Sequence, residues 1–220
     1  MQSEGMNDQW AAENLQTIRT LMERAAVYRR ALAPVMSVTG VIGLAAALAG
    51  WKAEIAGPTA FVAYWLGVAL VAVAAGGVLM RRQALQQSEP FWSPPTRRVF
   101  LAMLPPLLAG FILGLIAAAA GVGFGESGVP NGDIHLHLPL LWVILYGCAV
   151  HAAGFVMRRG IRLFGWMLIL LGCAGFLCRV SATEVGLVDS GYAVMGLIFG
   201  LLHLLYGLYL FASEKRSTAE

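Results

Sequence analysis

Two histidines, His151 and His203, lie inside long apolar runs. An ionisable ring placed within a membrane span is costly, so it faces a cavity, a ligand or a partner. Imidazole at such depth can ligate haem iron or a transition metal, relay a proton, or hydrogen-bond a neighbour such as Tyr146 or Tyr206. At 1.5 Å per residue, His151 lies about 10 Å inside Arg158 and His203 about 16 Å inside Glu214. That offset does not favour two axial ligands of one haem. Hydrogen bonding is therefore the first expectation, and a haem or metal cofactor on His151 and His203 is the alternative. A second set is Asp133-Ile134-His135-Leu136-His137. In an extended segment alternate residues share a side. Asp133, His135 and His137 would then converge as a metal site suited to zinc, copper or iron. A helix beginning before His135 dissolves that site.

Other chemistries lack parts. Gly123-Phe124-Gly125-Glu126-Ser127-Gly128 fits GxGxxG, but a dinucleotide site needs a strand before it and a helix after it. Here an apolar run precedes it. Rhomboid-type proteolysis also uses six spans, and it needs a GxSG serine in the fourth. The chain offers Gly147-Cys148-Ala149-Val150 instead, which leaves only a Cys148–His203 pair. No apolar run carries a carboxylate, so a carboxylate-driven transporter lacks its acid. No catalytic residue is assigned. The three cysteines, Cys148, Cys173 and Cys178, fall inside the runs and read as buried thiols acting as small hydrophobes.

The elements that must position these groups follow from composition. Of 220 residues, 59% are hydrophobic and 12% charged, with mean hydropathy +0.72. Soluble domains carry about 25% charged residues. The supply here cannot clothe a water-soluble globule. A disordered chain and a nucleic-acid-binding domain are excluded on the same grounds, the first by apolar content and the second by the absence of a dense basic face.

A membrane helix needs roughly 20 apolar residues. Six runs qualify, at about 31–51, 59–80, 99–121, 138–157, 163–179 and 190–212. The expected fold class is an all-α, polytopic, six-helix membrane bundle spanning 31–213. An arm, 1–30, precedes it and a short tail, 214–220, follows. The fifth run is the shortest, bounded by Arg162 and Arg179, and it crosses if both arginines snorkel. Thirteen of the fifteen basic residues fall in the arm, the second–third and fourth–fifth connections, and the tail. Cytoplasmic segments hold the Lys and Arg excess, so both termini are expected in the cytoplasm. The abundance of Ala and Arg points to a bacterial plasma (inner) membrane.

Within the arm, Leu15, Ile18, Met22 and Ala25 recur at helical spacing. An amphipathic helix is expected, lying in the interface or docking a protein partner. The connection Arg81–Arg98 contains Pro90, Pro94 and Pro95 and is expected to be extended. Its paired arginines Arg81, Arg82, Arg97 and Arg98, with Trp92, and the pair Arg158 and Arg159, are placed against anionic lipid. GxxxG pairs at Gly110/Gly114 and Gly196/Gly200 mark close helix packing, or self-association into a homo-oligomer. Pro105-Pro106 is expected to kink the start of the third span. The second and fourth runs end alike, in Gly77-Val78-Leu79-Met80-Arg81-Arg82 and Gly154-Phe155-Val156-Met157-Arg158-Arg159, a faint parallel repeat.

The arm from Leu15 to Pro34 and the segment Tyr146–Trp166 resemble bacterial multi-span membrane proteins with no assigned activity. The resemblance implies a polytopic bundle and transfers no functional residue. The expected function is non-enzymatic: a scaffold, interaction or sensory bundle acting through a partner, lipid or self-association. The alternatives are a haem- or metal-binding redox or transport subunit and a small oligomeric channel or permease.

Overall fold

A computed structural model describes residues 10, 14–15, 32–55, 57–86, 91–120, 134–157, 159–181 and 191–217. Six helical runs are present among them, and no strand. They are α1, Leu32–Lys52; α2, Pro58–Gln86; α3, Pro94–Ala120; α4, Ile134–Ala153; α5, Arg159–Ser181; and α6. The last is α-helical over Gly191–Met195, π-helical over Gly196–Leu202 and α-helical again over His203–Ser217. Five of the six are long and apolar enough to cross a membrane. In the fourth the apolar stretch is His137–Ala153, and it is shorter. The shortfall was expected in the fifth run, but α5 starts at Arg159 and reaches 23 residues. The arm lies outside the described residues except for Trp10, Asn14 and Leu15, so its amphipathic helix is not described. The GxGxxG segment also lies outside them.

The ends of the helices follow local chemistry. Pro58 opens α2 after Gly57, whose carbonyl accepts the Phe61 amide at 2.8 Å. Pro94 opens α3 after Ser93, whose carbonyl accepts the Arg97 amide at 3.0 Å. Proline fits a first helical turn because its missing N–H has no intrahelical acceptor there. The expected extended connection is thereby corrected. Pro94 and Pro95 begin a helix instead of preventing one, and Arg81, Arg82, Arg97 and Arg98 all sit on helix ends. Starting at Pro94 also moves Pro105 and Pro106 to the interior of α3, which continues through them. At the other end of the molecule, α1 closes with Ile55 N–H on the Gly50 carbonyl and Glu54 N–H on Trp51. This pairing is a Schellman motif. It puts Glu54 at φ 50°, a conformation that usually takes glycine.

Helices α2 to α5 pack in chain order, α6 packs on α1 and α4, and α4 and α6 are innermost. Along the apolar stretch of α6, 44% of residues are buried, against 11% along that of α3. Two seams bring backbones together. On the first, α1 meets α6: a β-carbon at Gly40 would stand 2.5 Å from the Leu204 amide, and one at Gly43 would stand 2.6 Å from the Phe199 carbonyl oxygen. Gly200 and Gly196 face Leu44 and Ala47 on the same seam. On the second, α4 meets α5. A β-carbon at Gly165 would lie 2.5 Å from the His151 amide, and one at Gly154 would lie 2.7 Å from Arg162 Cα.

The faint repeat stops at this seam. Helix α2 runs on through Arg82 to Gln86, whereas α4 ends at Ala153 and Gly154–Met157 turns away. Away from these seams the bundle shows apolar side chains on its exterior. Leu101, Leu104, Leu108, Phe111, Ile112 and Ile116 are all exposed along α3 alone. A soluble protein rarely exposes an apolar patch of this kind. It is the expected exterior of a helix facing lipid.

Candidate functional site

The site is built from the deepest polar groups outward. His203 is the one charged or polar residue that is fully buried among the described residues. Its Nδ1 lies 2.9 Å from the Ile198 carbonyl oxygen, and its Nε2 lies 2.9 Å from the Tyr146 hydroxyl. A carbonyl oxygen only accepts, so Nδ1 carries the proton and Nε2 accepts from the Tyr146 O–H. The ring is neutral in this arrangement. Ile198 lies five residues back, inside the π-helical segment Gly196–Leu202. Such segments leave carbonyls poorly paired within the helix, and the His203 ring supplies a donor for one of them. Phe164 meets the ring edge-on at 5.3 Å, and Phe199 stacks on it at 6.0 Å.

His151 belongs to a different neighbourhood. Its Nδ1 lies 3.3 Å from the Arg162 carbonyl oxygen, and Phe155 and Trp166 flank it edge-on. None of these hydrogen-bond and ring partners is shared with His203 among the described residues, so the structure does not gather the two as a ligand pair. Engaging His203 with iron or another metal would first break one of its two hydrogen bonds. Cys148 takes no part in either set. Nor are the cysteines uniformly buried as expected: Cys148 is half-buried, and Cys173 and Cys178 are exposed on α5.

The Asp133, His135 and His137 set loses the extended geometry it required. Helix α4 begins at Ile134. Positions two apart on a helix are separated by about 200° around its axis. His137 stacks on Phe176 at 5.7 Å. Asp133 lies outside the described residues, as does the side chain of His135. Among the described residues no three His, Cys, Asp or Glu side chains gather as metal ligands.

From Tyr146 the polar groups lead into a cleft of about 350 Å³. Its walls are α2 from Trp65 to Val73 and α3 from Leu104 to Phe111. Its floor is Ile42 of α1, Trp142 and Tyr146 of α4, and Met195 and Phe199 of α6. Side chains along both walls are also exposed at the surface, including Leu70, Val73, Leu104, Leu107 and Phe111, so the cleft opens sideways between α2 and α3. The floor is held rigidly. Trp142 Nε1 donates to the Gly110 carbonyl at 2.9 Å. The Gly110/Gly114 pair, expected to bring two backbones together, instead makes a ledge for this indole. A β-carbon at Gly114 would stand 2.9 Å from Trp142 Cζ2. Trp65 is 3% exposed, and its Nε1 has no hydrogen-bond partner among the described residues.

The expected lipid-contact residues sit at one end of this architecture. Arg81, Arg82, Arg97, Arg98 and Arg159 are exposed at helix ends, and Trp92 is exposed beside Phe100 at 5.6 Å. Arg158 lies outside the described residues. The sequence reading missed the cleft and the α4–α5 seam, and of the α1–α6 seam it named Gly196 and Gly200 but not Gly40 and Gly43. One signal was available for the seams. Ser37, Gly40, Gly43, Ala47 and Gly50 recur at three and four, and Gly147 and Gly154, like Gly165 and Gly172, are seven apart. Each spacing places small residues on one helix face.

No family model, curated protein or solved structure matches the chain.

Proposed function

We propose that this chain is a six-span membrane protein with both termini in the cytoplasm, and that it works without catalysis. Its working surface is the cleft between α2 and α3, which receives a membrane-resident occupant from the side. The observation that carries this reading is the cleft's aspect. It is lined by apolar groups, and its mouth lies between the two helices whose surfaces are least buried. A pore or a water-fed active site would instead present polar groups toward an aqueous opening. The six-span count is supported by the 20 residues of α4. The cytoplasmic placement of the termini is supported by the gathering of thirteen of fifteen basic residues on one set of segments. A bacterial plasma membrane is the setting that fits this charge pattern.

A spin label tests the reading. It is attached at Leu107→Cys after Cys148, Cys173 and Cys178 have been replaced by alanine, with the protein reconstituted in vesicles. The expected outcome is rapid relaxation by oxygen, which partitions into lipid, and none by a water-soluble nickel complex. Relaxation by nickel would make the cleft an aqueous path and favour the permease alternative. A Soret band in the purified protein, lost in His203→Ala, would favour the redox alternative.

A further inference from the structure

We propose that Arg81 and Arg97 hold the phosphate of an anionic phospholipid whose acyl chain lies in the cleft between α2 and α3. This rests on the reading of the cleft as a site for a membrane-resident occupant, and it names that occupant.

The argument begins with register. Helices α2 and α3 run antiparallel. Thr59 Oγ1 donates to the Ala118 carbonyl at 3.2 Å, and Val62 faces Gly114. With the same rise along both helices, each step forward on α2 is a step back on α3. Trp65 then comes level with Phe111, and Val73 with Leu104, and these four residues bound the cleft walls. Carried further, the register sets Arg81 level with Thr96, beside Arg97. Four arginines thus meet at one end of the α2–α3 pair, and all four are exposed.

Helical phase then separates the four into two pairs. Eleven residues make three turns with an excess of about 20°, and seven make two turns with a deficit of about 20°. Arg81 is eleven residues beyond Leu70, a cleft residue. Arg97 is seven before Leu104 and eleven before Leu108, both cleft residues. Arg82 and Arg98 are each one residue further along, about 100° around their helices. On α3 the cleft stripe therefore ends in Arg97, whereas on α2 Arg81 follows the edge of the stripe at Leu70, and Arg82 and Arg98 lie about 100° further round.

Depth agrees with a phospholipid. Arg81 lies about 12 Å beyond Val73 and Arg97 about 10 Å before Leu104, at 1.5 Å per residue. The headgroup region occupies roughly 5–7 Å of each leaflet. A phosphate at the arginines places the glycerol esters beside Gly77–Met80 of α2, and a chain descends from there into the apolar groove. The volume of about 350 Å³ sits at the low end of ligand pockets, which run about 300–1,000 Å³. It suits one flexible chain better than a bulky ring system. Guanidinium offers paired donors to phosphate oxygens, and two guanidinium groups neutralise its charge.

The test uses the full chain in vesicles, with phospholipids that carry a photoreactive diazirine in the acyl chain. One probe is phosphatidylglycerol and the other phosphatidylcholine, and labelled peptides are mapped. The expected result is labelling of Trp65–Val73 and Leu104–Phe111, with phosphatidylglycerol favoured about tenfold, equivalent to about 1.4 kcal/mol. The preference vanishes in the double variant Arg81→Gln, Arg97→Gln. It persists in Arg82→Gln, Arg98→Gln, which removes the same charge, and in Arg81→Lys, Arg97→Lys. Equal labelling of the cleft by both lipids would leave it a chain site and overturn the headgroup assignment. Equal loss in the two glutamine variants would reduce the preference to general surface charge and overturn it as well. Failure of both lipids to label the cleft above Leu101, Ile112 and Ile116, the exposed residues of α3 outside it, would defeat the lipid occupant. The cleft could then still be entered from the side by a protein helix, and the spin-label result would decide that separately.

Discussion

At the residue scale, four polar rings inside the bundle have different standing. Tyr146 is the donor for His203 Nε2. Removing its hydroxyl leaves a fully buried nitrogen without its partner, whereas with the imidazole already gone the hydroxyl has no such partner to lose. Tyr146→Phe is therefore expected to lower stability by about 1–2 kcal/mol, seen as a lower thermal midpoint in detergent. The same change in a His203→Leu background should cost little. Trp142 and Trp65 form a second contrast. Trp142→Phe breaks the bond to Gly110 and is expected to cost about 1 kcal/mol beyond lost ring area. Trp65→Phe carries no such cost, because its indole nitrogen has no acceptor among the described residues. If the two tryptophan substitutions differ only by buried area, the bond to Gly110 contributes nothing. The hydrogen bond from Tyr146 to His203 was among the partners the sequence suggested. Its geometry was not legible, because which residue of α4 meets position 203 depends on the rotation of both helices.

At the element scale, glycine decides how near two helices come. Gly165 lies against the backbone of α4 at His151, so a methyl group there meets atoms that cannot rotate away. Gly67, on α2, has nothing within 4 Å of the same added carbon. Gly165→Ala is expected to destabilise by about 2 kcal/mol or more through overpacking. Gly67→Ala is expected to stabilise by about 0.5–1 kcal/mol through helix propensity. Unfolding in a denaturing detergent measures both, and equal effects would show that the α4–α5 seam is looser than drawn. The two GxxxG pairs differ in what they meet: Gly196 and Gly200 lie against α1. Gly110 and Gly114 are spaced like a backbone seam, yet they receive an indole. Gly40 and Gly43 make true backbone contact at a spacing of three. The motif records only that one face is small. What fills the space is set by the neighbour.

The proline pairs teach a similar lesson at this scale. Pro94 and Pro95 looked like breakers because proline cannot sit inside a helix without losing a bond. Their position relative to Ser93 reverses that, since a first turn has no bond to lose. A difference of five residues in the start of α3, 94 in place of 99, separated an extended loop from a helix carrying two arginines.

At the scale of the whole molecule, the bundle is sparing with its interior. The outward faces of α2 and α3 are apolar, and the native cysteines on α5 share that exterior. Spin labels on Cys173 and Cys178, each alone in a cysteine-free background, are expected to relax rapidly with oxygen and not with aqueous nickel. A label on half-buried Cys148 should attach slowly. Nickel access to Cys173 would mean that α5 faces water and would break the membrane arrangement.

The solvent of this chain and the number of its apolar runs were readable from residue types alone, because the transfer of side chains into lipid is nearly additive along a chain. The helical class followed, since a backbone in hydrocarbon must satisfy its own hydrogen bonds. The cleft, the burial of His203 and the separation of His151 from it were decided only in three dimensions. Each depends on how far one helix rotates and slides against another, and one turn's shift leaves every property of the isolated segments unchanged.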